Sequence, residues 1–276
     1  VQLSIVILQT NKPRDVEACL RALQRAQLPS ETEVIVLNNG GEGANGRVPT
    51  EASDGLQVTW VEIDRHEAGK RFPDGYIYGN NLGYQLAKGS FIATLNADVT
   101  VNPQTLWLLV EHLRQHPETG LVAPRLVYPS GEEQEVVRHY PRFLELASRR
   151  LHGTQTIIDS ATECLDADWV VGALFVMTRR CLDATGGHDP RFHLFMSDIA
   201  LGLDTWRAGL KVQQLRTAQA THHETRLSAG SPWTMLRKRT GRIHIMDALR
   251  YFWRELGRSV PPQSPSGGAQ EHARVH

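Results

Sequence analysis

Residues 3–8 are apolar apart from Ser4 and include β-branched side chains, the pattern of a strand buried on both faces. Asn11, Lys12 and Pro13 end the run. Val16, Cys19, Leu20 and Leu23 then recur at helical spacing and predict an amphipathic helix over 14–26. A second strand follows at 34–37 and closes in the polar turn Asn38-Asn39-Gly40-Gly41. Strand, helix and strand in this order form a βαβ unit, whose crossover is right-handed and whose ligands bind beyond the strand C-termini. The residues that follow each strand are therefore the first to inspect.

The alternation continues with a strand at 58–61, a helix over 76–88, a strand at 91–95 ending in Asn96-Ala97-Asp98, and an amphipathic helix over 103–115. Beyond Gly120 the segments shorten. A hairpin-like piece, Val122-Ala123-Pro124-Arg125-Leu126-Val127-Tyr128, precedes a polar stretch over 130–166 without clear periodicity. A strand over 169–177 interrupted at Gly172, a helix over 197–208 and a short strand at 211–215 complete this half. The fold class is α/β, a mainly parallel Rossmann-like sheet flanked by helices, with a C-terminal helical extension. The division expected is a main domain over 1–226, split at 120 into two halves, an extension over 227–258 and a disordered tail over 259–276, where Pro, Ser and Gly accumulate.

Charge and composition narrow the function classes. The chain has 276 residues with 30 basic and 30 acidic side chains, so no global field steers it toward nucleic acid. Cys19, Cys164 and Cys181 are odd in number and widely spaced, which suggests neither a disulfide framework nor a Cys-x-x-Cys metal site and fits a reducing, cytoplasmic compartment. No apolar run approaches the ~20 residues of a membrane span, and no basic-then-apolar signal peptide is seen. Any membrane contact would be peripheral, at the inner face.

The acidic turn Leu95-Asn96-Ala97-Asp98-Val99 follows a buried strand, so Asp98 is placed to point into the crevice. Mg²⁺ or Mn²⁺ takes hard oxygen ligands and can bridge such a carboxylate to a diphosphate. The plainer reading is a turn aspartate ahead of the helix at Pro103. Gly75, Gly79 and Gly83 follow no strand and lack the dinucleotide spacing, which argues against an oxidoreductase and for packing.

Over roughly residues 3–226 the chain resembles the family 2 glycosyltransferases, particularly their bacterial rhamnosyltransferase-like branch. Ser4-Ile5-Val6-Ile7-Leu8-Gln9-Thr10-Asn11-Lys12-Pro13 is similar to the family's opening strand and turn, and Val34-Ile35-Val36-Leu37-Asn38-Asn39-Gly40 to its second strand and Asp-Asn-Gly-Ser turn. Gly75-Tyr76, Asn80-Asn81-Leu82-Gly83 and Ala87-Lys88-Gly89 resemble the helix that leads into the family's DxD motif, where Asp98 takes the place of the metal-binding carboxylate. Asp168-Trp169-Val170-Val171-Gly172-Ala173 resembles the acceptor-side strand, and Gly186-Gly187-His188-Asp189-Pro190-Arg191-Phe192 the Gly-Gly-Phe-Asp turn. Ser197-Asp198 falls on the Glu-Asp of the family's Glu-Asp-x-Asp-Leu, and His222-His223 on its His motif near the metal.

The resemblance implies a GT-A fold and inverting transfer from a nucleoside-diphosphate sugar, dTDP-rhamnose before UDP-sugars, to a glycan or lipid-linked acceptor. It assigns Gln9, Thr10, Asn11, Asn38, Gly75, Asn80, Asn81, Asn96, Ala97 and Asp98 to the donor, and Asp168, Trp169, Gly172, Ala173 and Ser197 to the acceptor side. Asp98, His222 and His223 would bind the metal; neighbours on a strand point oppositely, so one histidine faces the site, and His222 is the first choice because it occupies the first place in the motif. Asp198 is the expected general base, with a helix cap as its plainer role. Asn38 stands for the usual aspartate, Ser197 for Glu and Ala200 for Asp, so the alternative is a catalytically silent nucleotide-sugar or glycan-binding module. A sugar-nucleotide pyrophosphorylase would need a Gly-rich, Arg- and Lys-bearing opening loop that is not seen.

Residues 226–258 hold eight basic and two acidic side chains, and Ile245, Met246, Leu249, Phe252, Trp253 and Leu256 give this segment an apolar helical face. A helix over 233–256 is expected to pack on the catalytic domain, on a second subunit or on an anionic membrane.

Overall fold

The structure is a computed structural model that describes residues 1–9, 13–39, 50–63, 75–138, 140, 162–223 and 239–258. A nine-stranded sheet forms its centre. Strands β1 (Leu3–Gln9), β2 (Thr32–Asn38), β3 (Val58–Glu62) and β4 (Phe91–Asn96) lie in the order β3-β2-β1-β4, all parallel. Every residue of β1 is buried, including Ser4, whose hydroxyl donates to Glu33 at 2.6 Å, whereas the edge strand β3 is half exposed. Helix α1 (Pro13–Gln24) crosses from β1 to β2.

Helix α2 (Tyr76–Leu86) packs on β1 and β2. A side chain at Gly79 would run into Leu8, and one at Gly83 into Val6, so these two glycines allow the helix to lie directly on β1. Close packing, not phosphate binding, accounts for that pair.

The remaining strands are β5 (Val99–Val101), β6 (Thr119–Val127), β7 (Val137–Arg138), β8 (Cys164–Asp166), β9 (Trp169–Val170), β10 (Leu174–Thr178) and β11 (Lys211–His222). The sheet continues past β4 as β10-β6-β11-β5, with β10 antiparallel to both neighbours and β6 parallel to β11; β8 pairs with β11, and β7 with β9 separately. Helices α3 (Thr105–Gln115), α4 (Arg179–Thr185), α5 (Ser197–Arg207) and α6 (Arg239–Glu255), with a short 3-10 turn at Thr50–Ser53, complete the described elements. Among the described residues, no helix is long and apolar enough to cross a membrane.

Two expectations are corrected in this half. The piece expected to be hairpin-like is mostly one nine-residue strand, β6, which runs straight through Pro124 and turns only at Val127, where it bridges Glu133. Pro124 is accommodated where the β6–β11 register shifts, between Leu215 and Gln219. That same bulge hides the second half of β11. The apolar pattern stops at Leu215, but the strand runs on for seven residues to His222 and delivers that histidine to the crevice. The interruption at Gly172 is real and separates β9 from β10. The expected helix over 233–256 is seen from Arg239, and 259–276 lies outside the described residues.

Candidate active site

Because β1, β2, β3 and β4 are parallel, their last residues gather on one edge of the sheet. Gln9 is buried there, and its carbonyl accepts the Asn39 N–H at 3.0 Å. The Asn38 amide donates to both Glu62 carboxylate oxygens, at 3.1 and 2.9 Å. A carboxylate only accepts, so Glu62 determines which end of the Asn38 amide is the NH₂. Gly75 adopts φ +67 against Asn39, and a Cβ at Gly75 would lie 2.4 Å from the Asn39 amide. Glycine is required there by both conformation and space. Thr10 and Asn11 lie outside the described residues.

Two of the expected donor asparagines are committed to holding the fold. Asn80 is buried and donates to the Tyr76 carbonyl one turn back, at 3.0 Å. Asn81 donates to the His188 carbonyl at 2.7 Å and accepts the His188 N–H at 2.9 Å, which ties α2 to the loop over 186–196. The His188 ring fills the aromatic position of that loop, among Tyr76, Tyr84 and Phe175. Burial pushes its pKa down to about 4, so a neutral imidazole packs there as an aromatic ring would.

The acidic turn after β4 meets the end of β11. His222 pairs with Val99 in register, which brings its Nε2 to 3.6 Å from Asp98 Oδ1, and the far side of the ring, Nδ1, lies 3.0 Å from Gln134 Oε1. With that oxygen as acceptor, Nδ1 carries the ring proton and Nε2 its lone pair. His223 points the other way: its N–H donates to the Asp98 carbonyl at 2.8 Å, and its exposed ring meets Thr100 Oγ1 at 3.0 Å. Asp98 and His222 thus come together, and the His223 ring is turned aside. Among the described residues, no group of three or more His, Cys, Asp or Glu side chains is arranged to hold a metal.

Asn96 connects this turn to the acceptor side, since its N–H donates to the Ala173 carbonyl at 2.9 Å. Beside Ala173, the Gly172 carbonyl accepts from Tyr76 Oη at 3.1 Å, and a Cβ at Gly172 would lie 3.9 Å from Asp198 Oδ2. Asp198 is the second residue of α5, after Ser197, and the residue that precedes the helix, Met196, is a non-glycine residue held at φ 65. Such a conformation persists only where its surroundings hold it, and these residues cluster at functional sites. Burial raises the Asp198 carboxyl above the ordinary carboxylate range, opposed by the Ile199 N–H at 3.0 Å and the nearby Arg138 guanidinium.

Arg138 stands over the Trp169 ring at 5.4 Å. Asp168 is buried and accepts the Tyr140 N–H at 3.0 Å, and buried Ser197 donates to the Leu194 carbonyl at 3.4 Å. Sequence reasoning missed Arg138, Gln134 and Glu62, because each is brought to the site by strand pairing or a long-range contact. It also missed Asp247 of α6, whose fully buried carboxylate accepts the main-chain N–H groups of His193, Leu194 and Phe195 at 3.0 to 3.1 Å. Its one signal was being an acid in a basic segment.

The model of the family described as glycosyl transferase family 2 matches residues 4–165. A curated relative, the O-antigen biosynthesis protein RfbC of Myxococcus xanthus, is 32% identical over 230 residues, which cover 81% of this chain but only 17% of that protein. The N-acetylglucosaminyl-diphospho-decaprenol L-rhamnosyltransferase of Mycobacterium tuberculosis is 23% identical over 207 residues, covering 64% of this chain and 67% of its own. Among solved structures, GalNAc-T7 with UDP, GalNAc and Mn²⁺ superposes with a TM-score of 0.61 at 16% identity, over 84% of this chain and 46% of that one. S. aureus TarS 1-349 in complex with UDP-GlcNAc gives 0.59 at 13%, over 92% and 73%. These structural likenesses speak to the fold, which is GT-A.

Proposed function

Because the chain belongs to glycosyl transferase family 2, we propose that it moves a sugar, with inversion, from a nucleoside diphosphate bound across the ends of β1, β2 and β4 to a hydroxyl of a glycan or lipid-linked acceptor. The observation that carries the reading is the placement of two carboxylates on either side of the Asn96–Ala173 hydrogen bond, Asp98 beside His222 and Asp198 against Gly172. A dTDP-rhamnose donor is the first choice, since the sequence resembles the rhamnosyltransferase branch and the mycobacterial relative is named for L-rhamnosyl transfer. UDP-sugars come next.

Mg²⁺ or Mn²⁺ fits the residues at the turn, because the Asp98 carboxylate faces a histidine nitrogen whose tautomer is oriented from behind by Gln134. Asp98 and His222 would hold it, and when bound it would neutralise charge on the departing diphosphate. Asn38, its amide oriented by Glu62, supplies an oxygen acceptor of the kind a pyrimidine N3–H needs. On the other side, Asp198 takes the proton of the acceptor hydroxyl as that oxygen forms its bond to the anomeric carbon. The bond from that carbon to the diphosphate breaks, and the nucleoside diphosphate leaves with its electron pair. A carboxylate raised by burial is a stronger base than an ordinary one and needs only to be ionised.

A panel of nucleotide sugars titrated with and without Mg²⁺ or Mn²⁺ tests this reading, followed by release of nucleoside diphosphate from the tightest donor with glycan and lipid-linked acceptors. One donor should bind in a cation-dependent way that Asp98→Ala abolishes. Binding indifferent both to the cations and to Asp98→Ala would overturn the metal and donor assignments together.

A further inference from the structure

Helix α6 presents two unlike faces. Ile243, Asp247, Tyr251 and Arg254 are buried against the body, Tyr251 in a hydrophobic cluster with Phe192, Met196 and Ile199. Arg254 pairs with Asp189, Asp204 and Glu255. These bonds fix the helix, so its opposite face stays turned outward. That face carries Met246, Leu249 and Trp253, joined by Leu256 in the turn just past the helix, and these are 49, 62, 80 and 75% exposed. Their spacing of three, four and three residues makes one stripe about 15 Å long.

We propose that this stripe seats the protein on the surface of an anionic lipid bilayer. A contiguous row of four large apolar side chains marks an interaction surface rather than ordinary solvent exposure, and a tryptophan suits the boundary between headgroups and acyl chains. Charge selects the occupant. Both acids of α6 are turned inward and paired, Asp247 with the main chain of 193–195 and Arg250, and Glu255 with Arg207 and Arg254. Among the described residues of this segment, the charged groups left exposed are basic, Arg242 near one end and Arg258 just past the other. That sign matches anionic headgroups, whereas a second copy of the same face would bring like charges together.

The same helix holds, through Asp247, the loop that leads into Asp198. A bilayer under α6 would therefore lie near the acceptor side and favour an acceptor carried on a lipid. Only this last step rests on the function proposed above.

Flotation with vesicles of phosphatidylcholine, alone and mixed with phosphatidylglycerol, tests the docking without donor or acceptor, so its failure is distinct from a failure of transfer. The full chain should float with the anionic vesicles and more weakly as salt rises. Leu249→Glu combined with Trp253→Glu should weaken binding by about tenfold or more while leaving thermal unfolding unchanged. Equal binding by wild type and double variant, or indifference to phosphatidylglycerol, would overturn the proposal. So would sedimentation velocity showing a dimer that the double variant loses, which would give the stripe to a second copy.

Discussion

The two halves of the crevice are built differently. On the proposed donor side, parallel strands stop at one edge, so Gln9 and Asn38, at the ends of β1 and β2, and Asp98, just past β4, are placed by their position in the strand order. On the acceptor side, Asp198 is placed by contacts between segments far apart in the chain. Asp247 grips the loop before Asp198 from 52 to 54 positions further along, and Tyr76 reaches Gly172 across 96 positions. A parallel sheet positions its strand-end residues through its topology alone, whereas the mixed half needs buried polar bonds to hold Asp198.

The largest effect expected of that difference is at Asp198 itself. Asp198→Asn should lower turnover by roughly 10² to 10⁴-fold with donor affinity nearly intact, because proton transfer is lost and nothing on the donor edge moves. The wild-type rate should also depend on pH in a definite sense. A base works when ionised, so the rate rises with pH through its pKa, and burial places that rise above the ordinary carboxylate range. A profile of kcat/KM against pH checks this. Near-normal turnover in the variant would leave Asp198 a structural residue of the first turn of α5, since the cap position itself is Met196.

Next in size is the loss of the loop's clamp. Asp247→Ala would leave three main-chain N–H groups without their acceptor, at a cost of about 2 to 4 kcal/mol. Urea unfolding should show a lower midpoint at unchanged slope, and the variant that still folds should lose turnover more than donor affinity. A cost under about 0.5 kcal/mol would mean the acceptor loop is held by its apolar contacts alone.

The same contrast explains what the sequence made legible. Mostly apolar runs, interrupted by Ser4 in β1 and Thr94 in β4, located β1, β2 and β4, and the turn after β4 identified Asp98, because burial on both faces leaves a plain signature. The tail of β11 was not legible, since the bulge after Leu215 shifts its register and its buried residues are only Ala218, Ala220 and His222, too small or too polar to form an apolar pattern. Asn81 read as a donor residue because the motif places it beside Asn80, yet both its polar ends are bonded to His188, a partner 107 positions away. Helix α6 read as one amphipathic face, while its buried side is held by Asp247 and Arg254 as well as by apolar packing.

The smallest expected effect separates two neighbours on the donor edge. His222 and His223 are adjacent on and just past β11, and the extended backbone sends their rings to opposite sides. His222 faces Asp98 with Gln134 behind it, so His222→Ala should weaken cation-dependent donor binding by about 10 to 100-fold, the usual consequence of disturbing a metal's ligand environment. The exposed ring of His223 meets Thr100, while its contact with Asp98 is made by the main-chain N–H, which an alanine retains. His223→Ala should therefore change donor affinity less than about twofold and stability by no more than about 0.5 kcal/mol. Calorimetric titration of the two variants with donor and Mn²⁺ reads the affinities, and urea unfolding reads the stability. Equal losses of affinity at the two positions would mean that the strand end rearranges when donor binds and that both rings enter the site.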